Sequence, residues 1–140
     1  MKQYERLYYQ AVAFANDMKH IHTHAIGNKF DRLHAIAAEY YEKASSESDD
    51  FVELALEYGE KVENPSLAAE KLDYEVANED YYGWDEGISD IRIRMAAYIA
   101  SLEELRQSGE IPTDVESKLD DIIRYWKKEN NYKNVARMKE

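Results

Sequence analysis

Turn-forming residues are scarce in this chain: five glycines and two prolines interrupt 140 residues. So few breakers favour long helices over many-turned β structure. Between the breakers, apolar residues recur every three or four positions, the period of an amphipathic helix. Leu7, Ala11, Phe14, Met18 and Ile21 mark a first helix from Tyr4 to His24, and Gly27 and Asn28 make the next turn. A second helix, from Lys29 to Tyr58, carries Phe30, Leu33, Ala37, Tyr41 and Ala44 on one stripe, then Val52 and Leu56. Gly59 supplies the left-handed residue that commonly ends a helix. The third helix, Gly87 to Ser108, has the cleanest period: Ile88, Ile91, Met95, Tyr98, Leu102, Leu105, with Gly109 closing it. Thr113 and Glu116 read as a capping box. They open a fourth helix that buries Val115, Leu119, Ile122, Ile123 and Trp126 and frays after Asn130.

The connections are unequal. Two tight turns flank one long stretch, residues 60–87, which contains Pro65, Gly83 and an expected short helix from Ser66 to Ala77. That stretch is long enough to run back along a bundle, so the second and third helices are expected to lie parallel. The expected fold is all-α: a ferritin-like four-helix bundle with one long crossover containing a short helix. One domain spanning 1–140 is expected, since this length supports a single core. Without cysteine, neither a disulfide framework nor a thiolate metal site can form. The start, MKQYERLYYQ, lacks the apolar run of a signal peptide. No stretch approaches the roughly 20 apolar residues that cross a bilayer. A cytoplasmic location is the expectation.

The net charge of −11 is unevenly spread. Residues 44–121 hold 22 acidic against 6 basic side chains, whereas Arg124 to Lys139 holds six basic residues and one acid, Glu129. An acidic body attracts cations and repels nucleic-acid phosphates. Most of these charges serve as solvated helix faces.

All four histidines fall between positions 20 and 34, and their clustering is the most informative chemical feature. His22 precedes Gly27 by five residues and His34 follows it by seven, so a fold-back at Gly27 lets the two imidazoles face one another. Asp49 and Glu53, four apart, share one face of the second helix. Carboxylate oxygens with imidazole nitrogens suit iron, manganese or zinc. A histidine at a helical interface is more often a satisfied packing residue, and an acidic i, i+4 pair is usually solvated. Distance sharpens the matter. His34 and Asp49 are separated by ~22 Å along one helix at ~1.5 Å per residue, too far for one ion. A two-fold axis removes the difficulty: if two copies of the second helix cross near Glu42 and Lys43, His34 of one copy lies beside Asp49 and Glu53 of the other. Such a site is absent from a monomer.

At these residues the sequence resembles the Dps family of miniature ferritins. The segment from His22 through Gly27 and Phe30 to His34 is similar to the family's His-Trp-x-x-x-Gly-x-x-Phe-x-x-x-His element. Asp49-Asp-Phe-Val-Glu53 followed by Gly59 is similar to its Asp-x-x-Ala-Glu-Arg-x-x-x-Leu-Gly element. Seven positions stay in register without a gap, and weaker similarity continues to Trp126. The resemblance implies a bundle that pairs about a two-fold axis and assembles into a hollow dodecamer. It implies intersubunit ferroxidase sites that oxidise Fe(II), preferably with hydrogen peroxide, and store ferric mineral. His22 and His34 come from one subunit, with Asp49 and Glu53 from its mate; Glu53 is the candidate to bridge two irons. Ala38 stands where the family often has an aspartate supporting the second iron, leaving a water, His24 or Glu39 to substitute. Thr23 replaces a tryptophan and Leu54 an arginine.

Fainter features complete the list. Glu110 and Asp114 are placed to line an acidic pore at a three-fold axis, or to serve as ordinary helix-dipole acids. Some Dps relatives bind DNA through lysine-rich tails. Lys2 and Arg6 at one end, and Lys127, Lys128, Lys133, Arg137 and Lys139 at the other, offer phosphate contacts that the acidic body opposes. Three readings therefore compete: an iron-oxidising storage cage, a nucleoid DNA-binding Dps, and a ferritin-fold scaffold without iron chemistry. A site within one bundle is disfavoured, because the third and fourth helices carry no histidine for a Glu-x-x-His motif.

Overall fold

A computed structural model describes residues 1–139. Its regular elements are all helical: α1 (Gln3–Thr23), α2 (Phe30–Glu57), a 3₁₀ turn (Pro65–Leu67), α3 (Ala68–Leu72), α4 (Trp84–Gln107), α5 (Thr113–Lys128), a π-helical turn (Glu129–Lys133) and α6 (Asn134–Met138). No strand forms among the described residues, where the extended pairing is confined to one parallel bridge between Ala25 and Tyr82. None of the described helices is long and apolar enough to cross a membrane. The chain divides into two compact units, Met1–Gly87 and Ile88–Glu140.

In the first unit α1 and α2 pair antiparallel. Tyr4 meets Tyr58 at 5.2 Å between ring centroids, Lys19 sits over the Tyr41 ring at 5.5 Å, and His22 meets His34 at 3.8 Å. The turn between them needs Gly27, whose φ of +96° strains any residue with a Cβ. Leu7, Met18, Ile21, Leu33, Tyr40 and Phe51 fill the buried seam. The Glu60 carboxylate accepts the Glu5 N–H at 2.7 Å, satisfying one of the orphan donors that open α1.

The stretch after α2 then travels the length of α1 in order. Glu63 N–H donates to the Tyr9 hydroxyl at 2.8 Å, and the Tyr74 hydroxyl and Ala77 N–H both donate to the buried Asp17 carboxylate. Glu79 O accepts from the His20 imidazole at 2.8 Å. Finally, Tyr82 N–H donates to His24 O, and Ile26 N–H donates to Tyr82 O, each at 2.9 Å. The crossover thus returns to the end where α2 began. There the first turn of α4 packs on the first turns of α2: Lys29 and Arg32 flank the Trp84 ring, each at 4.9 Å, and Gly87 lies against Leu33.

The second unit is an antiparallel hairpin. Ile88, Ile91, Met95, Tyr98, Leu102 and Leu105 of α4 are all buried, as are Val115, Leu119, Ile122, Ile123 and Trp126 of α5. Tyr98 and Trp126 meet edge to face at 5.8 Å. Arg106 bonds Asp120 at 2.8 Å, Lys127 pairs with Glu103 at 3.1 Å, and Asn130 Nδ2 donates to Arg92 O at 3.2 Å, fixing the register.

Four expectations are corrected. The short helix ends at Leu72 rather than Ala77: Asp73 adopts a left-handed φ of 51°, and Tyr74 and Ala77 are drawn off to Asp17. No capping box forms at Thr113, because Pro112 occupies the cap position and the Glu116 carboxylate lies 3.5 Å from Arg106 instead. The last helix does not fray after Asn130. It widens into the π turn, where buried Glu129, Asn130 and Asn134 find polar partners: Lys133 meets Glu129 at 2.8 Å and Arg137 donates to Asn134 Oδ1 at 2.8 Å. On α2, Phe30 and Leu56 are exposed and Tyr41 is half-buried, while Tyr40, Phe51 and Ala55 point inward. Adjacent apolar residues at 40–41, 51–52 and 55–56 made the stripe ambiguous by one position.

Candidate metal centre

The fold-back at Gly27 brings His22 and His34 together as their spacing required. Their rings stack at 3.8 Å between centroids and 24° between planes. Each Nδ1 lies 2.8 Å from the backbone oxygen of the other histidine: His22 Nδ1 on His34 O, and His34 Nδ1 on His22 O. A carbonyl oxygen can only accept, so each Nδ1 carries its proton and each Nε2 keeps a lone pair. Fixing one ring nitrogen as a donor to a carbonyl, and so freeing the other as a ligand, is the usual support behind a metal-binding histidine. Both imidazoles are half-buried. The Phe30 ring extends the stack, 5.0 Å from His34. Although it shares the α2 stripe, Phe30 is exposed and covers the imidazole pair.

Asp49 and Glu53 occupy one exposed face further along α2, as the i, i+4 spacing dictates. Within one chain they remain remote from the histidines, and among the described residues no three His, Cys, Asp or Glu side chains converge. Each carboxylate therefore faces outward from its own chain. Tyr8, buried on α1, neighbours this region. Burial first, then Tyr9 and Asp49, raises its phenol above the ordinary 10.0.

The auxiliary residues fall elsewhere. Glu39 is exposed and Ala38 half-buried on α2. His24 turns away from the His22–His34 pair: its ring stacks on His20 at 3.9 Å and 27°, and its Nδ1 reaches His20 O at 2.9 Å. Glu110 and Asp114 are exposed around the turn that joins α4 to α5. His20, given no role by its sequence context, ties α1 to the crossover through Glu79. Its i, i+4 spacing to His24 was the available signal. No family model matches the chain, and neither characterised proteins nor solved structures offer a match.

Proposed function

We propose that this chain is a Dps-like, iron-binding ferroxidase and storage protein, whose sites form where two copies pair about a two-fold axis. The observation that carries the reading is the reciprocal imidazole pair, with Nδ1 of each ring held by a carbonyl and Nε2 of each left to coordinate. His22 and His34 of one copy supply nitrogen, and Asp49 and Glu53 of a second copy supply oxygen. Two features add support. Asp49 and Glu53 are both exposed on α2 and so open to a second copy, and the crossover returns to the end from which α2 started, as in a ferritin-like connection.

Iron is the substrate. Carboxylates and imidazoles hold Fe(II) and favour the higher charge of Fe(III). Two Fe(II) ions give one electron each to hydrogen peroxide; its O–O bond breaks and, with two protons, yields two waters. Pairing the electrons in this way keeps hydroxyl radical from forming. The acidic surface draws cations toward the assembly, and a dodecameric shell with acidic openings at Glu110 and Asp114 would collect the ferric product.

The test is anaerobic Fe(II) titration of the purified full chain, followed by peroxide and absorbance at ferric wavelengths, alongside light-scattering mass. Expected are an oligomer, Fe(II) binding, rapid oxidation and a retained ferric product. His34→Ala and Glu53→Ala should each slow oxidation by at least about 10–100-fold, the cost of losing even a partner behind a ligand. A monomer, or rates unchanged by both substitutions, would leave a helical scaffold without iron chemistry.

A further inference from the structure

We propose that Met138 is a peroxide-reactive methionine and that Arg92 receives its sulfoxide, so that oxidation tightens α6 onto α4. The site lies wholly within the second compact unit and stands whether or not the chain oxidises iron.

Exposure selects the sulfur. Of the four methionines, Met18 and Met95 are 0 % exposed, whereas Met138 is 46 % and Met1 58 % exposed. Peroxide therefore reaches two thioethers. What sets Met138 apart is its neighbour: Arg92 Nη1 donates to Met138 Sδ at 3.8 Å, between residues 46 positions apart. This guanidinium has no stronger partner. Among the described residues no carboxylate pairs with it, and its buried Nε makes no hydrogen bond. Thioether sulfur is a weak acceptor, so the cation is poorly matched in the reduced chain. Arg92 is nonetheless held to the C-terminal segment at a second point, because its carbonyl accepts from Nδ2 of the buried Asn130 at 3.2 Å. That bond keeps the guanidinium beside α6 in either oxidation state of the sulfur.

The chemistry follows from the two lone pairs of the sulfur. One accepts from Arg92, and the exposure of the side chain leaves the other to hydrogen peroxide. Sulfur gives up two electrons and the O–O bond breaks; one oxygen stays on sulfur as the sulfoxide and the other leaves as water. The new oxygen is a far better acceptor than the thioether was. Methionine is unbranched with three rotatable bonds, so a turn about its terminal bonds presents that oxygen to Nη1. A weak N–H···S contact becomes a charge-assisted N–H···O bond. Oxidation of a core methionine disrupts packing, but at this exposed position the gained bond dominates. Enzymatic reduction of the sulfoxide reverses the step.

The experiment treats the full chain with hydrogen peroxide, locates added oxygen by peptide mass spectrometry, and follows amide hydrogen exchange across residues 134–138. Met1 and Met138 should each gain one oxygen while Met18 and Met95 stay reduced. Oxidation should slow exchange in the wild-type segment about tenfold, the scale of one hydrogen bond to a charged group. Peroxide should produce no such slowing in Arg92→Leu, nor in the surface variant Met138→Leu. Met138 remaining reduced where Met1 is oxidised overturns the proposal, as does unchanged or faster exchange in the oxidised wild type. Slowing that persists in Met138→Leu would assign the effect to another site, and slowing that persists in Arg92→Leu would remove the guanidinium from it; either result sinks the pairing.

Discussion

At His22 and His34 each imidazole is oriented by the other residue's backbone, so neither ring can move without disturbing its neighbour. Phe30 adds the third ring of the stack but is 39 % exposed. Its removal should therefore cost little stability, under about 1 kcal/mol, as for surface substitutions generally. Metal affinity should fall about tenfold, because support behind a ligand is worth ~10–100-fold. Denaturant midpoints and Fe(II) titration of Phe30→Ala measure both; a loss near the ~3–5 kcal/mol of a core aromatic, with affinity intact, would contradict the lid assignment. The buried phenols of Tyr8 and Tyr9 make a second prediction. Burial is the largest cause raising both above 10.0, so the folded chain holds these protons where the unfolded chain releases them. Their stabilising effect is complete below pH 10 and is lost as pH rises through the higher folded values. Denaturation free energies should drop as pH rises above 10, less steeply in Tyr8→Phe; equal slopes in variant and wild type would refute the linkage.

Among the elements, the start of α4 shows how one glycine can decide a packing distance. A Cβ at Gly87 would sit 2.5 Å and 2.9 Å from the two methyls of Leu33, which is fully buried and has nowhere to turn. Gly→Ala inside a helix ordinarily gains about 1 kcal/mol. Here overpacking, worth ~1–3 kcal/mol, opposes and exceeds that gain. Gly87→Ala should lower the melting temperature, whereas Gly83→Ala, which meets only the flexible Glu86 carboxylate at 2.7 Å, should not. Equal melting temperatures for the two variants would count against the close approach. The same elements explain what could be read from sequence. The α4 stripe and the apolar face of α5 were legible because single apolar residues at helical spacing leave one solution. The pairing of His22 with His34 was legible because Gly27 fixes where the chain folds back. The inward face of α2 was not, since paired apolar neighbours such as Tyr40 and Tyr41 satisfy two stripes equally. The π turn was hidden by polarity: Glu129, Asn130 and Asn134 look solvent-facing until Lys133, Arg92 and Arg137 are seen to meet them. Asp17 hid likewise, as its partners lie 57 and 60 residues away.

For the molecule as a whole, the decisive question is whether ligands are shared between copies. Along α2 His34 stays ~22 Å from Asp49 and ~28 Å from Glu53, so no rearrangement short of unfolding the helix unites them within one chain. An isologous interface makes two equal sites, each drawing imidazoles from one copy and carboxylates from the other. Consider a histidine-deficient chain, His22→Ala with His34→Ala, co-assembled in equal amounts with a carboxylate-deficient chain, Asp49→Ala with Glu53→Ala. Each parent alone has no complete site. In a mixed pair, one site loses all four ligands, while the other receives intact histidines from one chain and intact carboxylates from its mate. Random pairing makes half of the dimers mixed, and half of their sites complete, so roughly a quarter of wild-type sites reappear. Fe(II) oxidation by the co-refolded mixture should therefore recover to about a quarter of wild type, while the separate variants mixed without exchange stay inactive. Sites contained within single chains would show no recovery at any mixing ratio, because no chain in the mixture carries all four ligands.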